Sequence, residues 1–104
     1  MKRDRNLPLT ETTFYILLAL LEPAHGYLIM QKIEELSDGH VRIAAGTLYG
    51  AIENLINLKF IMPVPSEDKR RKVYSITDRG REILKCDLER INHMAKVTES
   101  ALNK

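Results

Sequence analysis

At 104 residues, with 44% of them apolar and 29% charged, the chain has enough material for one domain with a small core and is too apolar to stay disordered by default. Its single cysteine, Cys86, excludes an internal disulfide and a cysteine-rich zinc site, and the longest apolar run, Phe14 to Leu21, is well short of the ~20 residues that span a bilayer. The formal net charge of +2 hides a local excess: Lys59 to Lys72 holds five basic residues against two acidic ones, whereas Asn6 to Leu58 is acidic.

Residues 1–9 form a basic stretch, expected to be a flexible arm, that leads into helix-capping residues and not into a signal peptide; the cytoplasm is the expected location. Thr10 is placed to cap a first helix, with Glu11 in its first turn, that runs through Glu22 until Pro23 forbids continuation. Its run from Phe14 to Leu21 is apolar nearly all round, so it needs cover from its own domain and from a partner. A second helix follows Pro23-Ala24-His25-Gly26, with Leu28, Ile29, Ile33 and Leu36 on one face, and ends at Ser37-Asp38-Gly39. Tyr27 is expected to pack with Tyr15 between these two helices. Val41–Ile43 reads as a short strand, and Ala45–Leu58 as a third amphipathic helix. Two β-prone runs, "FIMPVP" and "RKVYSI", joined by "SEDKR", predict a hairpin whose first strand is kept at an edge by Pro63 and Pro65. Thr77 caps a last helix, along which Leu84, Leu88, Ile91, Ala95, Thr98 and Leu102 recur at steps of four and three. That seam, with Phe14 and Leu17 of the first helix, is the expected homodimer interface, the alternative being that it folds back on the chain's own core.

The order helix, helix, short strand, helix, hairpin, helix predicts a mainly α fold with a small β-hairpin (α+β). It corresponds to a winged helix-turn-helix over residues 10–77 with a C-terminal dimerisation helix over 78–104. On the third helix Leu48, Ala51, Ile52 and Leu55 fall inward, and Gly46, Gly50, Glu53, Asn54 and Asn57 outward, with Thr47 and Tyr49 at the margins. No lysine or arginine lies between Gly46 and Leu58. Each interior glycine costs about 0.5–1 kcal/mol against alanine. Two explanations stand: the glycines let the helix front press close to a DNA duplex, or Gly46 merely starts the helix and Gly50 lies against another one. In the first, Thr47 and Tyr49 bond phosphate or a base edge and Asn54 reaches an adenine. The missing charge sits on the hairpin, where Lys69, Arg70, Arg71 and Lys72 occupy the turn and the start of the second strand, while Tyr74 and Ile76 point inward.

The stretches "HGYLIMQKIEEL", "GTLYGAIENLINLKFI", "RRKVYSIT" and "TDRGREIL" together resemble the signatures of PadR-like transcriptional regulators over about residues 14–84. The resemblance implies a bacterial, dimeric DNA-binding repressor of the subfamily with one short C-terminal helix, in which Thr47 and Tyr49 face DNA and the wing tracks the backbone. Where many relatives carry Ser-Pro before Gly-Thr-Leu-Tyr and a proline after it, this chain has Ala44, Ala45 and Gly50. Loss of the serine cap costs about 1 kcal/mol. A small-molecule effector would act at the dimer interface, but the chain lacks the tryptophans with which some short relatives hold planar drugs.

The three histidines show no metal-ligand spacing, and Cys86 and His93 lie two helical turns apart, too far for a nucleophile and its base. No cofactor, metal or catalytic group is expected. The competing class is a protein–protein interaction module built on the same fold.

Overall fold

The computed structural model describes residues 4–104. Its elements run α1 (Glu11–Ala19), β1 (Ala24–His25), α2 (Gly26–Leu36), α3 (Ala45–Asn57), β2 (Ile61–Val64), β3 (Val73–Ile76) and α4 (Asp78–Leu102). The strands form one antiparallel sheet in the order β1-β3-β2. This is a winged helix: three helices, a β-hairpin and a long closing helix.

Local chemistry sets the element ends. Thr10 accepts from the Thr13 N–H at the start of α1, and Thr77 accepts from the Gly80 N–H at the start of α4. Helix α1 stops at Ala19, earlier than Pro23 alone requires. The Leu20 carbonyl accepts from the Ile76 N–H of β3, while Lys32 and Arg81 donate to the Ala19 and Leu21 carbonyls. Helix α3 closes in a Schellman motif: the Phe60 N–H bonds Leu55 O, the Lys59 N–H bonds Ile56 O, and Lys59 takes a φ of 65°. That turn sends the fully buried Phe60 under α4. Gly80 crosses directly over the Phe60 carbonyl, where a Cβ would collide with it.

Val41–Ile43 forms no strand. Val41 is buried and its N–H bonds Ser37 Oγ at 2.9 Å, which ties this irregular segment to the end of α2. The third strand forms instead at Ala24–His25, paired with Tyr74 and Val73. Strand β2 lies at the opposite edge, as the prolines require, and Val64 is its last residue paired, with Val73.

The core gathers Ile16, Leu17, Leu20, Ile29, Ile33, Leu48, Ile52, Leu55, Phe60, Tyr74, Ile76, Ile83 and Leu84. Leu17 and Leu84, two residues of the expected dimer interface, are therefore already used. Leu17 has no exposed surface and Leu84 closes the chain's own core over α1. The packed unit continues past residue 77 into the first turns of α4. At the other end Leu7 and Leu9 pack against the core, so the expected flexible arm is anchored from Leu7 onward; Met1–Arg3 lie outside the described residues. Leu36 is half exposed, because α2 ends where the core does.

Beyond Ile91 every residue of α4 is exposed. The projecting helix gives principal extents of 57 × 31 × 20 Å and a radius of gyration of 15.2 Å, against the ~13 Å of a compact chain this long. Leu88, Met94, Val97 and Leu102 present apolar surface to solvent, and Ala95 and Thr98 are exposed between them. Phe14 and Ile91 are half-buried where α1 meets α4.

Candidate nucleic-acid interface

Helix α3 is fixed by Leu48, Ile52 and Leu55, all buried, and shows its opposite face to solvent. Gly46, Thr47, Gly50 and Asn54 are exposed there, with Tyr49 half exposed at the margin. A Cβ built on Gly46 or Gly50 meets nothing within 4 Å. Among the described residues Gly50 therefore lies against no other helix, and no contact explains a glycine at either position. Ala44 occupies the N-cap with no side-chain hydrogen bond, which leaves the first-turn N–H groups open to an outside acceptor.

Lys69, Arg70, Arg71 and Lys72 are all exposed in the loop between β2 and β3. None of them enters β3, which begins at Val73: its partner strand ends at Val64, and Pro65 has no N–H with which to extend the ladder. Asp68 shapes this wing tip. Its Oδ1 accepts from the Arg70 N–H at 2.9 Å, its carbonyl accepts from the Arg71 N–H at 3.1 Å, and Ser66 Oγ donates to the same carbonyl. Arg71 Nε lies 4.0 Å from Asp68 Oδ2 with both side chains largely in solvent, a loose pair that leaves the guanidinium available.

The wing meets the helices in a cavity of about 590 Å³ lined by His25, Gly26, Tyr27, Tyr49, Arg70, Arg71, Lys72 and Tyr74. His25 is the N-cap of α2: its Nδ1 accepts from the Leu28 N–H at 3.3 Å, and its Nε2 lies 3.2 Å from Arg71 Nη1. The Tyr49 ring rests on Gly26, where a Cβ would come within 2.6 Å of the hydroxyl. Gly26 is thus the residue that lets α3 and α2 close at this point. Burial lifts the Tyr74 phenol above its ordinary pKa, and the Tyr49 phenol beside it adds to the shift.

The structure thus brings Tyr49, Arg70, Arg71 and Lys72 to one cavity and leaves Gly46, Thr47, Gly50 and Asn54 along the open face of α3, with Lys69 at the outer wing. Sequence reasoning had assigned no role to His25 or Gly26. The available signal was a histidine and a glycine at a helix start, which reads as a turn until the wing is folded back on it. Tyr27 is 64% exposed beside this cavity and does not pack with Tyr15, which stacks edge-on against Phe14. Among the described residues, no three acidic, histidine or cysteine side chains gather as metal ligands, and no helix is long and apolar enough to cross a membrane.

The profile of the transcriptional regulator PadR-like family matches residues 16–86. The fold is similar to a transcriptional regulator from Clostridium thermocellum, with a TM-score of 0.75 and 27% identity, covering 95% of this chain and 97% of that one. It is also similar to a PadR family transcriptional regulator from Eggerthella lenta, with a TM-score of 0.68 and 26% identity over 89% of this chain and 81% of that one. In sequence, 89 residues are 36% identical to an uncharacterized 37.1 kDa protein in transposon TN4556 of Streptomyces fradiae. The match takes in 84% of this chain but only 25% of that protein, so the chain spans about a quarter of its relative's length.

Proposed function

The chain belongs to the PadR-like family of transcriptional regulators, and from that premise we propose that it acts as a homodimeric repressor on a near-palindromic DNA operator. The observation that carries this reading is the pairing of an α3 face that bears no lysine or arginine and is open at Gly46 and Gly50 with four exposed basic residues on the adjacent wing. Helix α3 enters the major groove, where Thr47, Tyr49 and Asn54 reach base edges and phosphates, while Gly46 and Gly50 allow close approach. Lys69 to Lys72 follow the phosphate backbone.

The dimer is supported by α4, along which Leu88 and Val97 are about half exposed and Leu102 is largely exposed. Pairing through the surviving seam of Leu88, Ile91, Ala95, Thr98 and Leu102, with Phe14 at its base, sets two α3 helices about 34 Å apart for successive major-groove turns.

The test is titration of the duplex upstream of its own gene across a salt series. Saturable binding that weakens steeply with salt is expected, and no saturable binding at low salt overturns the regulator reading in favour of an interaction module. For assembly, Leu88→Glu with Leu102→Glu changes only residues exposed in the single chain. It should shift the light-scattering mass to monomer; an unchanged dimer mass rejects the α4 seam.

A further inference from the structure

We propose that His25 and Arg71 together form a seat for a single phosphate, and that His25 is thereby a DNA-contacting residue that locks the wing to α2. The proposal rests on the DNA-binding reading and adds to it a residue outside α3 and the wing. It starts from a conflict of donors. An imidazole in its neutral form carries one N–H and one lone pair. The Leu28 N–H is one of the orphan donors of α2's first turn, and His25 Nδ1 accepts from it at 3.3 Å, which puts the lone pair on Nδ1 and the proton on Nε2. That Nε2–H then faces Arg71 Nη1, itself a donor, at 3.2 Å. The opposite tautomer only moves the conflict to Leu28. Two donors converge on a space whose other walls include Arg70, Lys72, Tyr49 and Tyr27, with no carboxylate among its lining residues. The chemistry that resolves the conflict is an oxyanion accepting from both.

A phosphate suits the site in size and charge. The cavity is open to the face that α3 and the wing share, and its 590 Å³ holds a phosphate group with room for the adjoining sugar. Asp68, 4.0 Å from Arg71 Nε, is the only carboxylate paired with that guanidinium among the described residues, and the pair is loose enough to yield to a phosphate. Arg71 supplies the charge. His25 supplies a directed donor fixed by its cap, so it sets where the phosphate sits, and through it where the wing tip rests relative to α2.

The variants are His25→Asn, Arg71→Ala and the double change. Asparagine keeps an N-cap oxygen for the Leu28 N–H but has no group at the position of Nε2, so the fold should hold. With the upstream duplex as probe, His25→Asn should weaken binding about tenfold, the loss of one hydrogen bond to a charged group. Its salt slope should stay that of the wild type, because a neutral donor releases no counterion. Arg71→Ala should flatten the slope by about 0.9. The double variant should lose less than the product of the single losses, because both donors hold one phosphate. Wild-type affinity in His25→Asn, or losses that multiply, overturns the proposal and leaves the DNA-binding reading standing. If the wild type binds no duplex at low salt, that reading has failed on its own, and titration with inorganic phosphate decides the seat: a His25 ring ¹⁵N shift abolished by Arg71→Ala upholds it, and no shift overturns it.

Discussion

Helix α3 and the wing lie side by side on one face and are built on opposite terms. The helix is held by three buried side chains, carries no lysine or arginine between Gly46 and Leu58, and presents two glycines with open space around them. The wing tip from Pro65 to Lys72 is exposed throughout, is shaped mainly by hydrogen bonds to Asp68, and carries four consecutive basic residues. Charge is placed on the part with no buried residue, and an open surface on the part anchored in the core. A long-range Coulomb field tolerates loose positioning, whereas contact with base edges works only over hydrogen-bond distances. One surface therefore gains from having the two properties in different elements.

The comparison breaks most visibly if its rigid half is loosened. Leu48→Ala removes a side chain with no exposed surface and should cost about 2–5 kcal/mol, read by denaturant unfolding. In a domain whose whole stability is of order 5–15 kcal/mol, that is a large share. A loss below about 1 kcal/mol would show that α3 is not anchored as described. Next in size is Arg70→Ala with Arg71→Ala. Stability should move by less than about 0.5 kcal/mol, because both side chains are exposed, while binding weakens on every duplex and the salt slope flattens by nearly 2. If this variant instead changed preference among sites and left the slope alone, the wing would be reading sequence and the division would be wrong.

Gly50→Ala sharpens the comparison through opposite signs. An alanine there meets no neighbour and should stabilise α3 by about 0.5–1 kcal/mol, seen as a higher denaturation midpoint. The same methyl group stands on the face proposed to meet DNA and should weaken binding. A variant that gained both stability and affinity would remove the close-approach explanation of the glycine.

The sequence carried the elements whose causes are local. The cap at Thr77, the inward Tyr74 and Ile76, and the α3 face of Leu48, Ile52 and Leu55 all follow from capping or periodicity, and all are found. What it could not carry depends on a neighbour. Val41–Ile43 has the β-prone residues yet forms no strand, while Ala24–His25 becomes one because the free edge of β3 lies beside it. Leu17 and Leu84 have the spacing of a partner-facing seam, but periodicity does not say whether the cover comes from the same chain or a second one. His25 is the sharpest case: its cap is local, but its second nitrogen meets an arginine 46 residues away. No window along the sequence joins those two.

The smallest expected effect lies where the helix and the wing touch. Tyr74, on the strand leading out of the wing, is buried against Tyr49 of α3, and burial first, then Tyr49, holds its phenol above the ordinary value. The folded chain thus keeps this proton to a higher pH than the unfolded chain does. Below the unfolded pKa of about 10 the contribution is fully present, and it is lost as pH rises through the folded value. Tyr74→Phe keeps the ring and removes the titrating hydroxyl, so wild type and variant should differ by a constant stability below about pH 9. Above about pH 10 the wild type should fall relative to the variant. Curves that stay parallel to about pH 11 would mean that the phenol is not shielded, and that the wing strand does not close against α3 as the structure has it.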